Sequence, residues 1–256
     1  MTATIIDLPG TYSLYPRRED EWVAYRVLMQ QDKEVNPQMV VLIADASNLK
    51  RNLLFASQII DLKIPVVIGL TMMDLAKQKG IKIDVAELER ELGVPIIPIN
   101  PRKNKGIPQL KKAIEQTAQN LYKTPIRDFI NNEALAPDAV KEVKEVVADL
   151  SDYRAIHYLI NHESFVLNND LQEKIESIEA VHKFNHTKTQ AEEILQRYQR
   201  IGTILKQSVS EPSPCRKPCS LKSWTIFCCT AAGVISSYWR YCSSYSNVCS
   251  GWPNIP

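Results

Sequence analysis

The sequence predicts an α/β fold, a parallel sheet with helices on both faces followed by a small all-α domain. Three observations carry this expectation. Four short runs rich in Val and Ile recur between residues 2 and 99, helix-like segments separate them, and beyond residue 124 the apolar residues keep to helical spacing alone. With 256 residues and 45% hydrophobic content, the chain can bury a sizeable core in one or two domains. A net charge of +2, from 31 basic and 29 acidic residues, supplies no field that would favour nucleic acid, so no nucleic-acid partner is expected.

Taken in order, Thr4 to Ile6, Met39 to Ala44, Pro65 to Leu70 and Pro95 to Ile99 are the strand candidates. Their near-continuous apolar content fits strands buried on both faces. Between and after them, Glu19 to Gln30, Leu49 to Asp61, Val85 to Leu92 and Ile107 to Leu121 show a period near 3.6, as in Leu110, Ala113, Ile114, Thr117 and Leu121. Beyond Thr124-Pro125 the strands stop, and no glycine occurs between Ile107 and Ile201. Val140, Val143, Val147 and Leu150 form one helical stripe, with Pro137 suited to a first turn. Leu171, Ile175, Ile178 and Val181 form a second. Ile194, Tyr198, Ile201 and Leu205 form a third, opened by a capping box at Thr189 and Glu192. These stripes must pack on one another, which places a helical bundle at 124–209 after an α/β domain at 1–123.

Two short motifs carry candidate chemistry. Asp7-Leu8-Pro9-Gly10 ends the first strand candidate. There a carboxylate can hold a Mg²⁺ water, and a glycine lets the backbone approach a terminal phosphate closely; the same tetrapeptide is also an ordinary turn after a strand. Asp74, after Thr71-Met72-Met73, can accept two hydrogen bonds from the N1–H and N2 amino group of guanine, or it can simply cap the segment that follows. The loop Asn100 to Lys105 follows the last strand candidate, so all three loops are expected at the carboxyl ends of the strands, where such a fold binds its ligand. None of the eight glycines lies in a G-x-x-x-x-G-K-[ST] stretch, so this sequence contains no phosphate-cradling loop. The histidines give no third ligand near His182 and His186, and no metal site is assigned to them.

Ile5 to Pro16, Glu19-Asp20-Glu21, Asp45 to Leu53, Ile64 to Val67, Met72-Met73-Asp74, Gly80 to Asp84 and Lys103 to Ile107 closely resemble the ferrous iron transport protein B family. The resemblance covers roughly residues 2 to 211. It implies an incomplete P-loop GTPase-like sheet and helical domain at the cytoplasmic face of a bacterial inner membrane, joined in the family to a membrane transport domain that passes Fe²⁺. By position it makes Asp7 and Gly10 the Mg²⁺ and γ-phosphate motif and Thr11 to Glu21 a switch. Thr71, Met72 and Asp74 become the guanine reader, and Asn100, Pro101 and Arg102 the base loop. GTP or GDP with Mg²⁺ is the implied cofactor. Thr71 stands where the family usually has Asn, and Pro101 removes a backbone donor from the base loop; both predict weakened nucleotide binding. The expected role is that of a GTP-regulated element of iron uptake unable itself to hydrolyse GTP or to transport, with a non-catalytic protein-binding remnant as the alternative.

Residues 210–256 read differently. All six cysteines lie beyond Pro214, no Asp or Glu follows Glu211, and 13 of the 17 residues from Ser236 to Trp252 are types whose codons begin with T. That is the signature of membrane-helix codons read one nucleotide late, so the segment is expected to be an unstructured, out-of-frame tail; its cysteine spacings match neither a zinc cluster nor a disulfide framework well. No run reaches the roughly 18 apolar residues of a membrane span.

Overall fold

The computed structural model describes residues 4–30, 37–119, 128–147, 150–162, 165 and 168–210. The expected boundary at 123–124 and the tail after Ser210 lie outside these residues. All described residues belong to one compact unit, Met1–Glu211.

Helix α1 (Glu19–Leu28) opens the regular structure, with Glu19, Asp20 and Glu21 complementing the helix dipole in its first turn. Strand β1 (Val40–Asp45) leads through a one-turn 3-10 helix to α2 (Leu49–Asp61), and β2 (Val66–Thr71) leads to α3 (Met73–Gln78). Next come β3 (Lys82–Ile83), α4 (Val85–Leu92), β4 (Ile96–Pro98) and α5 (Ile107–Ala118). Asp84 caps α4 by accepting from the backbone of Ala86 and Glu87, and Gly93 closes it in the left-handed region at φ 70°.

The strands lie parallel in the order β1-β2-β4. All residues of β2 from Val66 to Leu70 are buried, as expected for a central strand covered on both faces. β1 is covered on one face only: Leu42 and Ala44 are buried, whereas Val41 and Ile43 are 38% and 53% exposed. The first expected strand is corrected. Thr4 to Ile6 form no strand, and Ile5 is 91% exposed. An extended run becomes a strand only through a ladder partner, and among the described residues β1 pairs with β2 alone.

The second half contains α6 (Pro137–Val146), α7 (Asp152–Asn161), α8 (Asn169–His182) and α9 (His186–Ser208), and β5 (Val209–Ser210) returns to pair antiparallel with β3. Helix α7 had no counterpart among the expected stripes. The capping box is also corrected: α9 starts at His186, capped by Asn185, whose side chain accepts from the Lys188 amide at 2.9 Å, and Thr189 lies buried inside the first turns. One apolar cluster joins α2 and the sheet to Tyr153, Phe165, Ile201 and Ile204 of the second half. A smaller one, built on Val140, Val143, Ile156, Leu159 and Ile175, holds α6, α7 and α8 together.

Candidate functional site

Parallel register decides which loops meet. Asp45 is the register partner of Thr71, and Leu70 that of Pro98. The Ile99 amide extends the ladder by donating to the Leu70 carbonyl at 2.9 Å. The loops leaving β2 and β4 therefore emerge side by side from one end of the sheet. Thr71 is tied down there, its hydroxyl donating to the Ala44 carbonyl at 3.1 Å. Met72 turns the chain in the left-handed region at φ 56° and is 47% exposed. Asp74 is exposed in the first turn of α3, and its Oδ1 accepts from the Leu75 amide at 3.0 Å. This contact is not a helix cap, since α3 begins at Met73 with Met72 as its N-cap and no capping side chain, and the Asp74 carboxylate stays open to solvent.

Asn100 organises the neighbouring loop. Its Oδ1 accepts from the Lys103 amide at 3.2 Å, and its backbone exchanges hydrogen bonds with Lys105 at 2.8 and 3.1 Å. Pro101 starts the single 3-10 turn that carries Arg102, at a position whose N–H has no partner within the turn, so its missing donor costs the loop itself nothing. Gly106 closes the loop at φ +81°, where a Cβ would lie 2.1 Å from the Pro98 carbonyl oxygen. No other residue fits there. The signal for this position was present in the Asn104-Lys105-Gly106 run of turn-forming residues.

Asp7 and Gly10 are not joined to these loops by any contact among the described residues. Both are exposed, nothing lies within 4 Å of where a Gly10 Cβ would be, and among the described residues no hydrogen bond or ion pair joins either to residues 71–74 or 100–105. Immediately afterwards the chain is held firmly. The Thr11 hydroxyl donates to the Ser13 carbonyl at 2.8 Å, and the guanidinium of Arg51 lies 3.7 Å from the centre of the Tyr12 ring. The Leu14 amide donates to Gln58 Oε1 at 2.9 Å, and Tyr15 stacks on His157 at 5.2 Å.

These anchors belong to a buried polar junction that sequence reasoning missed. Arg197 of α9, fully buried, pairs with Asp61 of α2 at 2.8 Å and with Glu193 one turn earlier. It also donates to Ser57 and Asn132. Asp61 Oδ1 accepts from the Phe129 amide at 2.6 Å, and its Oδ2 from Asn132 at 3.1 Å. Gln58 Nε2 reaches Glu193 Oε1 at 3.5 Å. Burial pushes the Asp61 carboxyl up, against the opposing pull of Arg197. Burial also works against the charge on Arg197, but Tyr153, Glu193 and Asp61 hold it above its ordinary value. His157 is driven down to about 3 by burial, with Arg197 adding to the shift. Asn161 Nδ2 donates to the Tyr25 hydroxyl oxygen at 2.9 Å, and the same hydroxyl is hydrogen-bonded to His157 Nδ1 at 3.2 Å.

His182 and His186 turn to different partners, Glu142 at 2.9 Å and Glu179 at 3.1 Å. Among the described residues no group of three or more His, Cys, Asp or Glu is placed to hold a metal ion. Nor is any described helix long and apolar enough to cross a membrane.

A central parallel sheet flanked by helices, with its ligand-side loops gathered at the strand ends and a helical subdomain packed against α2, is the architecture of a G domain with an attached helical domain. Residues 1–114 match the family model described as ferrous iron transport protein B. The chain is 38% identical over 112 residues to the Fe(2+) transporter FeoB of Leptospira biflexa, an alignment that takes in 44% of this chain and 16% of the relative. Two solved structures match over most of the chain. One is the cytosolic domain of L. pneumophila FeoB, with a TM-score of 0.63, 26% identity, and 80% and 79% of the two chains covered. The other is NFeoB from S. thermophilus bound to mGMPPNP, with a TM-score of 0.60, 28% identity, and 81% and 80% covered. Residues 1–114 thus match the ferrous iron transport protein B family, and the fold over most of the chain is similar to that of the family's cytosolic domains.

Proposed function

We propose that this chain is the guanine-nucleotide-sensing region of a ferrous iron transport system, working at the cytoplasmic face of the membrane beside a transport domain. The observation that carries the reading is the register that sets Thr71–Asp74 and Asn100–Arg102 at one sheet end. Asp74 reads the guanine edge, Thr71 and Met72 shape its loop, and the Asn100–Arg102 turn supports the base from the next strand. Asp7 and Gly10 serve the phosphate side.

Mg²⁺ takes about six oxygen ligands and usually keeps several waters. Asp7 supplies one exposed carboxylate, which fits an outer position on a hydrated Mg²⁺ and nothing closer. When bound, the ion neutralises phosphate charge. The sequence has no G-x-x-x-x-G-K-[ST] loop to cradle phosphates, so binding is weak and hydrolysis is not expected of this polypeptide.

Titration with a fluorescent GDP analogue tests the reading. The expected result is a dissociation constant weaker than micromolar, a preference for guanine over adenine, and roughly tenfold or greater loss in Asp74→Ala, the worth of a charge-assisted bidentate pair. Equal binding of adenine and guanine nucleotides would refute it. A second reading, a protein-binding module without nucleotide function, is favoured by one observation: the sheet face at β1 on which Val41 and Ile43 are uncovered among the described residues. Complete absence of guanine-nucleotide binding would favour that alternative.

A further inference from the structure

We propose that Gln58 is a positioning residue that couples the Thr11–Tyr15 strap to helix α9, so that movement of the strap displaces Glu193 and Arg197. The regulatory consequence rests on the reading of Asp7 and Gly10 as the phosphate-side motif; the mechanical coupling does not.

Gln58 is fully buried, and its single amide group joins two elements. On one side Oε1 accepts from Leu14, whose own side chain is 1% exposed, so this backbone amide has no water to turn to. On the other side Nε2 donates to Glu193 Oε1, the same oxygen that receives Arg197 Nε. Arg197 then grips Asp61, Ser57 and Asn132. The path runs from strap to α2 side chain, to α9, to the 128–132 segment. A parallel contact, Tyr15 on His157, reaches α7.

Every link lies in the dry interior, where an unmade hydrogen bond leaves a costly orphan. The amide of Gln58 has two fixed faces. If the strap departs, the side chain must either abandon Leu14 or swing away from Glu193, and a carboxylate already sharing one guanidinium with Asp61 loses a donor. Strap and α9 therefore change together, as a packed junction with discrete arrangements rather than as independent pieces. Gly10 directly precedes the strap, and nothing lies within 4 Å of where its Cβ would be.

Hydrogen–deuterium exchange of the full chain without nucleotide tests the coupling. Tyr12→Ala removes a 46% exposed ring from Arg51 and loosens the strap from the solvent side without touching the core. Expected is about fivefold faster exchange, the worth of roughly one hydrogen bond, in peptides covering both Leu14–Tyr15 and Glu193–Arg197, with α6 and α8 unchanged. Gln58→Met keeps similar volume without the amide. It is expected to free Leu14 by the same factor and to remove any additional effect of Tyr12→Ala on α9. Any result in which Tyr12→Ala leaves α9 unchanged overturns the proposal, whether or not Gln58→Met folds. A separate arm adds GDP and Mg²⁺. Protection at residues 7–14 that spreads to α9 in the wild type but not in Gln58→Met supports the regulatory role. No protection at 7–14 overturns the nucleotide reading alone, because the nucleotide-free comparison has by then decided the coupling.

Discussion

Two residues show how sharply single positions are constrained. Gly106 sits where φ is +81° and a Cβ would collide with the Pro98 carbonyl, so Gly106→Ala is expected to cost about 2–4 kcal/mol in urea unfolding. The same substitution at Gly10, with open space on that side, is expected to change stability by less than about 1 kcal/mol. His157 sets a pH dependence. The unfolded ring takes a proton near pH 6.5, which the folded ring refuses until about pH 3. The folded value is the depressed one, so the stability is complete above pH 6.5 and declines as pH falls, by about 1.4 kcal/mol per unit. Urea midpoints at pH 7, 5 and 4 should show this slope flatten in His157→Phe, which keeps a ring against Tyr15 and takes no proton. At this scale the sequence was only partly legible. Asp74 and Asn100 stood out by type and spacing, whereas nothing in the one-dimensional pattern distinguishes a buried neutral histidine from an exposed one.

Among the elements, the helices of the first half other than α3 were legible from their periodicity: Leu49 to Asp61 and Val85 to Leu92 emerged with the bounds expected. Helix α9 was legible only in part. Of its expected stripe, Ile194, Tyr198, Ile201 and Leu205, Ile201 is fully buried, while the rest of the inward face carries Thr189, Glu193, Arg197, Ile204 and Ser208. A helix that buries a charged network breaks the rule that apolar residues mark the core, and only the partner on α2, more than a hundred residues away, shows why. Asp61 and Gln58 hid in the same way on the buried face of α2. Removing one member should be severe: Arg197→Met leaves two carboxylates unpaired and is expected to cost about 3–5 kcal/mol in chemical denaturation. Combining it with Asp61→Asn and Glu193→Gln should recover a substantial part of that loss, since the unpaired charges go too.

For the molecule as a whole, the class of fold followed from alternating runs, and the adjacency of the loops after β2 and β4 followed from parallel pairing; Asp7 and Gly10 make no contact that joins them to those loops among the described residues. The failure of Thr4 to Ile6 to form a strand was not legible, because a β-forming run says nothing about whether a ladder partner is present. Among the described residues β1 pairs on one side only, and its outer face is open, which has a solution consequence. Ile43→Lys, which places a charge on the open face of an edge strand while its stem covers neighbouring apolar surface, is expected to leave stability within about 1 kcal/mol and to reduce self-association in light scattering. At the far side, the pairing of Lys82 with Ser210 and Ile83 with Val209, reinforced by the Asp84 amide on the Ser208 carbonyl at 2.8 Å, closes the chain back on its first half. A tug arriving from beyond Ser210 would thus be borne first by that short antiparallel clasp, in shear against the root of α4. Helix α9 would feel the load only after the clasp had given way.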